Sequence, residues 1–205
     1  MPRLNALPPS EWQMWVFKNR GLLLVPVALI LVLFGSPSLR SAVVGIAVAG
    51  LGELIRIWAV GYSGVTTRSD IVTAPKLVTA GPYAFVRNPL YVGNAIIALG
   101  FWLAFSGNVP ITTSLVMFAV VAVLIVSVYA TIIPLEESYL AQTFGGEFEN
   151  YRQAVARIVP LSAPLPRDER QGEWNGRVIA RAEIITLAYF ALMVAAVIVK
   201  IRAAR

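Results

Sequence analysis

The uncharged stretch from Ile111 to Ile133 constrains the fold of this chain more than any other feature of its sequence. A helix needs about 20 apolar residues to cross the hydrocarbon core of a bilayer. Inside a membrane the backbone polar groups must be satisfied within the segment, so an apolar run of this kind is predicted to be helical. Together with the other apolar runs, it predicts an all-α, polytopic transmembrane bundle of about five spans, over residues 16–34, 41–60, 90–105, 111–133 and 183–199.

The composition supports a membrane protein. The chain is 58% hydrophobic and 14% charged, with a mean hydropathy of +0.72, whereas soluble domains have roughly 25% charged residues. Too few charges remain to cover a soluble domain, and we expect a single membrane-embedded domain over residues 1–205. No cleavable signal peptide is expected, because the first long apolar run begins near Leu22, behind a Trp-rich segment, and no Ala-x-Ala pattern follows it.

The residue types that are absent exclude several kinds of chemistry. The chain contains neither cysteine nor histidine, so it has no thiolate nucleophile and no histidine base, and no metal site is expected. Its formal net charge of +6 is better explained by loops that face anionic lipid than by nucleic acid, because no basic stripe with interleaved aromatic residues lies on a soluble helix. The lipid bilayer is therefore an expected partner, and nucleic acid is not.

Two long polar segments, residues 61–89 and 134–182, fall on the same side of the predicted bundle. They and the N-terminal arm carry most of the Lys and Arg, so the positive-inside rule predicts that the N-terminus and both segments are cytoplasmic. The basic residues after the fifth span, Lys200, Arg202 and Arg205, would lie on the opposite side and so do not follow this rule. The opposite side carries only Arg40, Lys200, Arg202 and Arg205.

The first polar segment ends in a motif at residues 77–93, LVTAGPYAFVRNPLYVG. Gly81 and Pro82 predict a turn, and Pro89 is typical of the first turn of a helix. Arg87 and Asn88 then lie at the positive N-terminus of the third span, where unpaired backbone N–H groups favour an anionic group. The alternative is an ordinary helix start with a snorkelling arginine and an interfacial tyrosine.

The second polar segment opens with residues 134–160, PLEESYLAQTFGGEFENYRQAVARIVP. The adjacent carboxylates of Glu136 and Glu137 lie directly below an uncharged span, where they are costly unless they are paired or solvated. Phe148, Tyr151 and Val155 recur at helical spacing. The alternative is an amphipathic juxtamembrane helix whose acidic residues are solvated.

Taken together, the two motifs resemble the two hallmark blocks of the isoprenylcysteine carboxyl methyltransferases and related phospholipid methyltransferases. The resemblance covers about a quarter of the chain. It implies a helical membrane bundle without a Rossmann sheet and a cytoplasmic pocket for S-adenosylmethionine. Carried over by position, it implies cofactor contacts at Lys76, Leu77, Val78, Tyr83, Asn88, Pro89, Leu90, Tyr91 and Glu137, with Arg68 as a weaker candidate.

The chemistry of methyl transfer suggests catalytic roles for three residues. Arg87 could orient an acidic or polar head group, and Tyr91 and Glu136 are the nearby bases for an acceptor that must lose a proton. Tyr83 and Tyr91 could offer π faces or hydroxyls to the cofactor. Glu137 could accept a hydrogen bond from its ammonium or ribose.

Two positions depart from the family pattern. The histidine that usually follows the arginine is Asn88 here, which can hydrogen-bond but cannot titrate. The arginine that prenylcysteine enzymes place just before the acidic pair is missing from residues 131–134 (TIIP). Its absence argues against a prenylcysteine carboxylate as the acceptor.

The predicted function is thus methyl transfer from S-adenosylmethionine to a lipid-like or membrane-partitioned small acceptor. A nicotinamide-dependent membrane reductase of similar helical architecture is one alternative, and a non-enzymatic transport or assembly protein is another. A transporter usually has polar groups and broken helices near the midplane, whereas both long polar segments of this chain fall on one side of the predicted bundle. Glu53 and Arg56, which lie well inside a predicted span, are interpreted as a structural pair because they are three residues apart.

Overall fold

The computed structural model describes residues 10–64, 73–161 and 163–204. Within these residues the chain is helical with no β-strand, apart from one isolated bridge between Val86 and Ala156, which confirms the predicted all-α class. The α-helices are α1 (Glu11–Lys18), α2 (Val25–Phe34), α3 (Leu39–Ser63), α4 (Pro89–Phe105), α5 (Ile111–Phe144), α6 (Gly146–Ala154), α7 (Ile179–Ala182) and α8 (Ile184–Ala203).

Three of these helices, α3, α5 and α8, are long and apolar enough to cross a membrane. The segments Glu11–Lys18 and Leu22–Phe34 would make a fourth span if they were counted together, and α4 is a shorter apolar helix. These helices occupy the five predicted regions, although only three or four of them pass as spans by length and composition.

The prediction of one continuous first span over residues 16–34 is wrong. The chain bends by 74° between α1 and the helical segment that starts at Leu22. The side chain of Asn19 donates to the carbonyl of Trp15 at 2.8 Å, and that of Arg20 donates to the carbonyl of Phe17 at 2.7 Å. Polar side chains that satisfy the last carbonyls of a helix favour its ending there, which an apolar count does not detect.

The fourth predicted span, residues 111–133, is part of a longer helix, because α5 continues through Pro134 to Phe144. A proline in a helix removes one backbone hydrogen bond. Here the next turns are held by burial of Leu135 and Glu137. As a result, the acidic pair is carried on the same rigid helix as the span instead of on a loop.

Small residues bring α3 and α4 into backbone contact. A Cβ atom on Gly100 would lie 2.3 Å from the backbone nitrogen of Ala49, and one on Gly45 would lie 2.3 Å from that of Ala104. Gly52 and Gly93 meet in the same way one to two turns further along. Close approach through small residues is a common way for helices to associate in membranes, and it fixes the start of α4 against α3.

Lys200, one of the basic residues that do not follow the positive-inside rule, has a structural partner in α2. Its ammonium donates to the carbonyls of Val32 and Gly35, each at 2.5 Å. These carbonyls lie at the C-terminal end of α2, where a cation is favourable. Lys200 therefore caps a neighbouring helix at the end of the bundle opposite the acidic pair.

Candidate active site

The first motif forms a tight turn followed by a helix start. Residues Gly81–Ala84 form a 3₁₀ turn, and Asn88 is the N-cap of α4. Gly81 has a φ of 62°, and a Cβ there would lie 2.2 Å from the ring of Tyr62, so both the conformation and the space require glycine. Burial raises the pKa of Tyr83 well above its ordinary value, which keeps its hydroxyl neutral.

The second motif packs directly on the first. Phe148, Tyr151 and Val155 are buried in one cluster with Leu77 and Ala84, as their helical spacing suggests. The Tyr151 hydroxyl donates to the carbonyl of Tyr83 at 2.7 Å. The two motifs thus form one unit at the end of the bundle where α4 begins and α5 ends.

The backbone also joins the two motifs beside the acidic pair. The N–H of Arg87 donates to the carbonyl of Ala156 at 2.8 Å, and that of Asn88 donates to the carbonyl of Arg157 at 3.2 Å. The Asn88 side chain reaches the same Arg157 carbonyl through Nδ2 at 3.2 Å. Residues from the two long polar segments are therefore held together by main-chain bonds.

Glu137 is the centre of a charged cluster between the motifs. It is 7% exposed. Its Oε1 accepts from Arg87 Nε at 3.0 Å, and its Oε2 accepts from Arg157 Nη2 at 2.7 Å. Asn88 Nδ2 lies 3.4 Å from Oε1. The acidic residue below the span is therefore paired, and Arg157 is a partner that the sequence analysis did not single out, although it lies within the second motif.

Arg87 uses most of its hydrogen-bond donors within this cluster. Besides Glu137, its Nη1 donates to the carbonyl of Arg152 at 2.9 Å and to that of Val155. Nη2 is the nitrogen that these bonds leave for another group. The guanidinium thus fixes the chain after α6 against the start of α4.

Glu136 faces a different partner. The hydroxyl of Tyr91 donates to its Oε1 at 2.8 Å. The ring of Tyr91 lies against that of Tyr129, with 4.6 Å between centroids. Tyr129 was not predicted as a site residue. It lies seven residues before Glu136, which is two helical turns, so both can share a face of α5.

A cavity of about 1110 Å³ connects these groups. The residues on its wall include every one of the predicted site residues, although their individual roles remain predictions: Lys76, Leu77, Val78, Tyr83, Arg87, Asn88, Pro89, Leu90, Tyr91, Glu136 and Glu137. Arg68 lies outside the described residues.

The cavity continues from these polar groups into the apolar part of the bundle, between α2, α4 and α8. No residue of this part was predicted as a site residue, because apolar side chains in a span give no local signal of a cavity. The wall here is formed by residues such as Val27, Leu31, Ile97, Phe101, Phe190 and Met193.

The Glu53–Arg56 pair is present, but it is part of a larger group. Arg56 Nε lies 3.8 Å from Glu53 Oε2. A closer ion pair joins Arg56 Nη2 to Glu183 Oε1 at 2.7 Å, and Arg56 Nη1 donates to Asn94 Oδ1 at 2.6 Å. Arg56 therefore links α3 to α4 and to the start of α8, and it also lines the cavity.

Comparison with known proteins gives a family for the chain. The phospholipid methyltransferase family model matches residues 40–147, more than half of the 205 residues. The match includes the whole first motif and the start of the second. No solved structure matches the chain significantly.

Curated relatives carry different names. The protein-S-isoprenylcysteine O-methyltransferase of Schizosaccharomyces pombe is 35% identical over 116 residues, which are 54% of this chain and 46% of that protein. The cobalt-zinc-cadmium resistance protein CzcN of Cupriavidus metallidurans is 31% identical over 122 residues, 60% of this chain and 49% of that protein. The methanethiol S-methyltransferase 1 of Bradyrhizobium diazoefficiens is 35% identical over 88 residues, 43% of this chain and 27% of that protein. The chain thus spans about half the length, or less, of these three relatives.

Proposed function

The chain belongs to the phospholipid methyltransferase family, and from that premise we propose that it transfers a methyl group from S-adenosylmethionine to a lipid-like or membrane-partitioned small acceptor. One observation carries the proposal. Within the described part of the chain, all the residues that the sequence assigns to the cofactor or the reaction line one cavity, whose volume of about 1110 Å³ exceeds the roughly 300–1,000 Å³ usual for a single small ligand. A methyl donor and an acceptor need such a shared space.

The polar end of the cavity suits the methyl donor. The neighbouring rings of Tyr91 and Tyr129 offer aromatic faces, which attract a sulfonium cation. Asn88 uses its Nδ2 for Glu137 and for the Arg157 carbonyl, so its Oδ1 is left to accept from the ammonium or ribose of the donor. Lys76 is exposed and can meet a carboxylate.

Arg87, Glu137 and Arg157 act as positioning residues in this proposal. Their ion pairs hold the segment after α6 against the N-terminus of α4. Alignment of donor and acceptor is the main requirement for transfer of a methyl group that is already activated. We expect Glu137 to keep this wall rigid and to present the remaining lone pair of its Oε2, which accepts from Arg157 alone, to the cofactor.

When bound, the cofactor supplies a methyl group whose C–S bond breaks with the electron pair remaining on sulfur, while a lone pair of the acceptor forms the new bond. The protein then needs to handle at most one proton. A protonated amine acceptor would lose it to Glu136, whose Oε1 accepts from Tyr91 and whose Oε2 is not used by that bond. A carboxylate or thiolate acceptor needs no base. Arg87 Nη2 can orient an acidic head group.

The test is binding of S-adenosylhomocysteine to the purified chain in nanodiscs, with NADPH as the comparison ligand. We expect saturable S-adenosylhomocysteine binding by calorimetry. In thermal unfolding it should add about 2.7 kcal/mol of stability at 100 times its dissociation constant, and NADPH should add none. Stabilisation by NADPH without any effect of S-adenosylhomocysteine would overturn the proposal in favour of a reductase.

A further inference from the structure

A polar group interrupts the apolar wall of the cavity at Asn94. On α4, Asn94 lies three residues beyond Tyr91, about one turn deeper into the bundle. The next cavity residues on that helix are the apolar Ile97, Ala98 and Phe101. Asn94 therefore lies between the predicted cofactor end and the apolar end.

Arg56 fixes the orientation of the Asn94 side chain. Arg56 Nη1 lies 2.6 Å from the amide, and a guanidinium can only donate hydrogen bonds. The atom that faces it must therefore be Oδ1. Arg56 is itself held by Glu183, at 2.7 Å and 2.9 Å, and by Thr186 at 3.3 Å. The amide cannot turn over without losing its bond to Arg56, and its two N–H donors point away from Arg56.

Tyr129 supplies a second donor next to this amide. It is 8% exposed and lines the cavity. Its buried hydroxyl makes no hydrogen bond of normal geometry within the described part of the chain, although the Asn94 amide lies beside it. Buried polar groups are almost always hydrogen-bonded, so this hydroxyl points to a ligand atom.

We propose that Asn94 and Tyr129 bind the polar head of the methyl acceptor, and that this head group presents an oxygen that accepts hydrogen bonds, such as a carboxylate. The inference rests on the proposed function. An amphiphile with its chain between α2, α4 and α8 would bring its head to these two residues, with Tyr91 and Glu136 one turn away. An ammonium head group would leave the amide donors unsatisfied, and a site built from donors rejects such an analogue strongly.

The test compares two probes of equal chain length, dodecanoate and dodecylamine, in binding to the full chain in nanodiscs. Asn94→Asp keeps the shape of the side chain and the acceptor for Arg56, but it replaces the N–H donors with an oxygen. We expect wild type to bind dodecanoate more tightly than dodecylamine. Asn94→Asp should weaken dodecanoate binding about tenfold or more, a change of about 1.4 kcal/mol, and should not weaken dodecylamine binding. Tyr129→Phe should weaken dodecanoate binding severalfold.

Tyr62→Phe is the matched control, since Tyr62 is not on the cavity wall, and it should bind dodecanoate like wild type. S-adenosylhomocysteine affinity is measured on Asn94→Asp and Tyr62→Phe and should stay within about twofold, which shows that these variants are folded; thermal unfolding shows the same for Tyr129→Phe. The proposal is overturned if wild type prefers dodecylamine, if it shows no saturable dodecanoate binding, or if Asn94→Asp leaves dodecanoate binding unchanged. If wild type does not bind S-adenosylhomocysteine, that result would instead contradict the methyltransferase proposal.

Discussion

Among single residues, Glu137 shows how a carboxylate in an energetically unfavourable position can contribute to the structure through its ion pairs. A carboxylate at the end of an uncharged span is expensive unless it is paired. Glu137 pairs with Arg87 and Arg157, both from outside its own helix. The cofactor-binding role that we propose for Glu137 therefore cannot be separated from its role in holding the two motifs together, and substitutions here are expected to change both.

We expect Glu137→Gln to weaken S-adenosylhomocysteine binding by more than tenfold and to destabilise the fold. Removing one partner of a buried ion pair costs about 3–5 kcal/mol, and the lower end applies because the Arg157 side chain is 51% exposed. Calorimetry and thermal unfolding measure the two effects. Glu149→Gln is the control, because the Glu149–Arg152 pair is at the surface, and it should change neither quantity measurably. Unchanged cofactor affinity in Glu137→Gln would remove Glu137 from the site.

Asn88 tests whether the family's usual histidine serves as a base or only for positioning. Asn88 is 8% exposed and donates to Glu137 and to the Arg157 carbonyl. If these contacts are what the position provides, Asn88→His should keep cofactor affinity within about tenfold, about 1.4 kcal/mol, and Asn88→Ala should lose more. S-adenosylhomocysteine titrations from pH 6 to 9 provide the comparison. An Asn88→Ala variant that binds like wild type would show that position 88 is not a site residue.

Among the helices, the α3–α4 contact determines where the first motif lies. Backbone contact through Gly45, Gly52, Gly93 and Gly100 brings Arg56 on α3 opposite Asn94 on α4. Larger residues would separate the two helices and break this hydrogen bond. The geometry of the polar wall thus depends on residues that have no chemistry of their own.

Gly100→Ala should therefore destabilise the protein, whereas Gly50→Ala should not. The added methyl at Gly100 would meet the backbone of Ala49 at 2.3 Å, while Gly50 has open space around it. Overpacking of this kind typically costs about 1–3 kcal/mol, and alanine at an open helical site gains up to about 1 kcal/mol over glycine. Thermal unfolding in the same detergent compares the two variants. Equal stability would mean that the two helices can separate at no cost.

For the whole molecule, the distribution of basic residues bears on the orientation in the membrane. Lys18, Arg20, Lys76 and Arg181 all line the cavity that also holds the acidic pair. Lys200 lies at the other end of the bundle, on the C-terminal carbonyls of α2. The basic residues are thus concentrated at the end where both motifs meet, which supports the predicted cytoplasmic location of that end.

This orientation can be tested with single cysteines, because the native chain has none. Glu169 and Asn108 are both exposed, and Asn108 lies in the turn between α4 and α5, at the opposite end of the bundle from the acidic pair. We expect a membrane-impermeant thiol reagent to label Asn108→Cys in intact cells and Glu169→Cys only after permeabilisation. The reverse labelling pattern would show that the protein has the opposite orientation in the membrane.

The sequence alone determined the all-α class, the approximate positions of the helices and the two motifs that line the cavity, because apolar runs and turn residues act locally. It did not determine the bend at Asn19 or the continuation of α5 through Pro134, where particular side-chain contacts outweigh the apolar pattern. The partners Arg157 for Glu137, Glu183 for Arg56 and Asn94 beside Tyr129 came only from the tertiary structure. These pairs join residues far apart in the chain. Which of them meet depends on how closely the helices approach, and that distance is set by packing between faces, which no local pattern specifies.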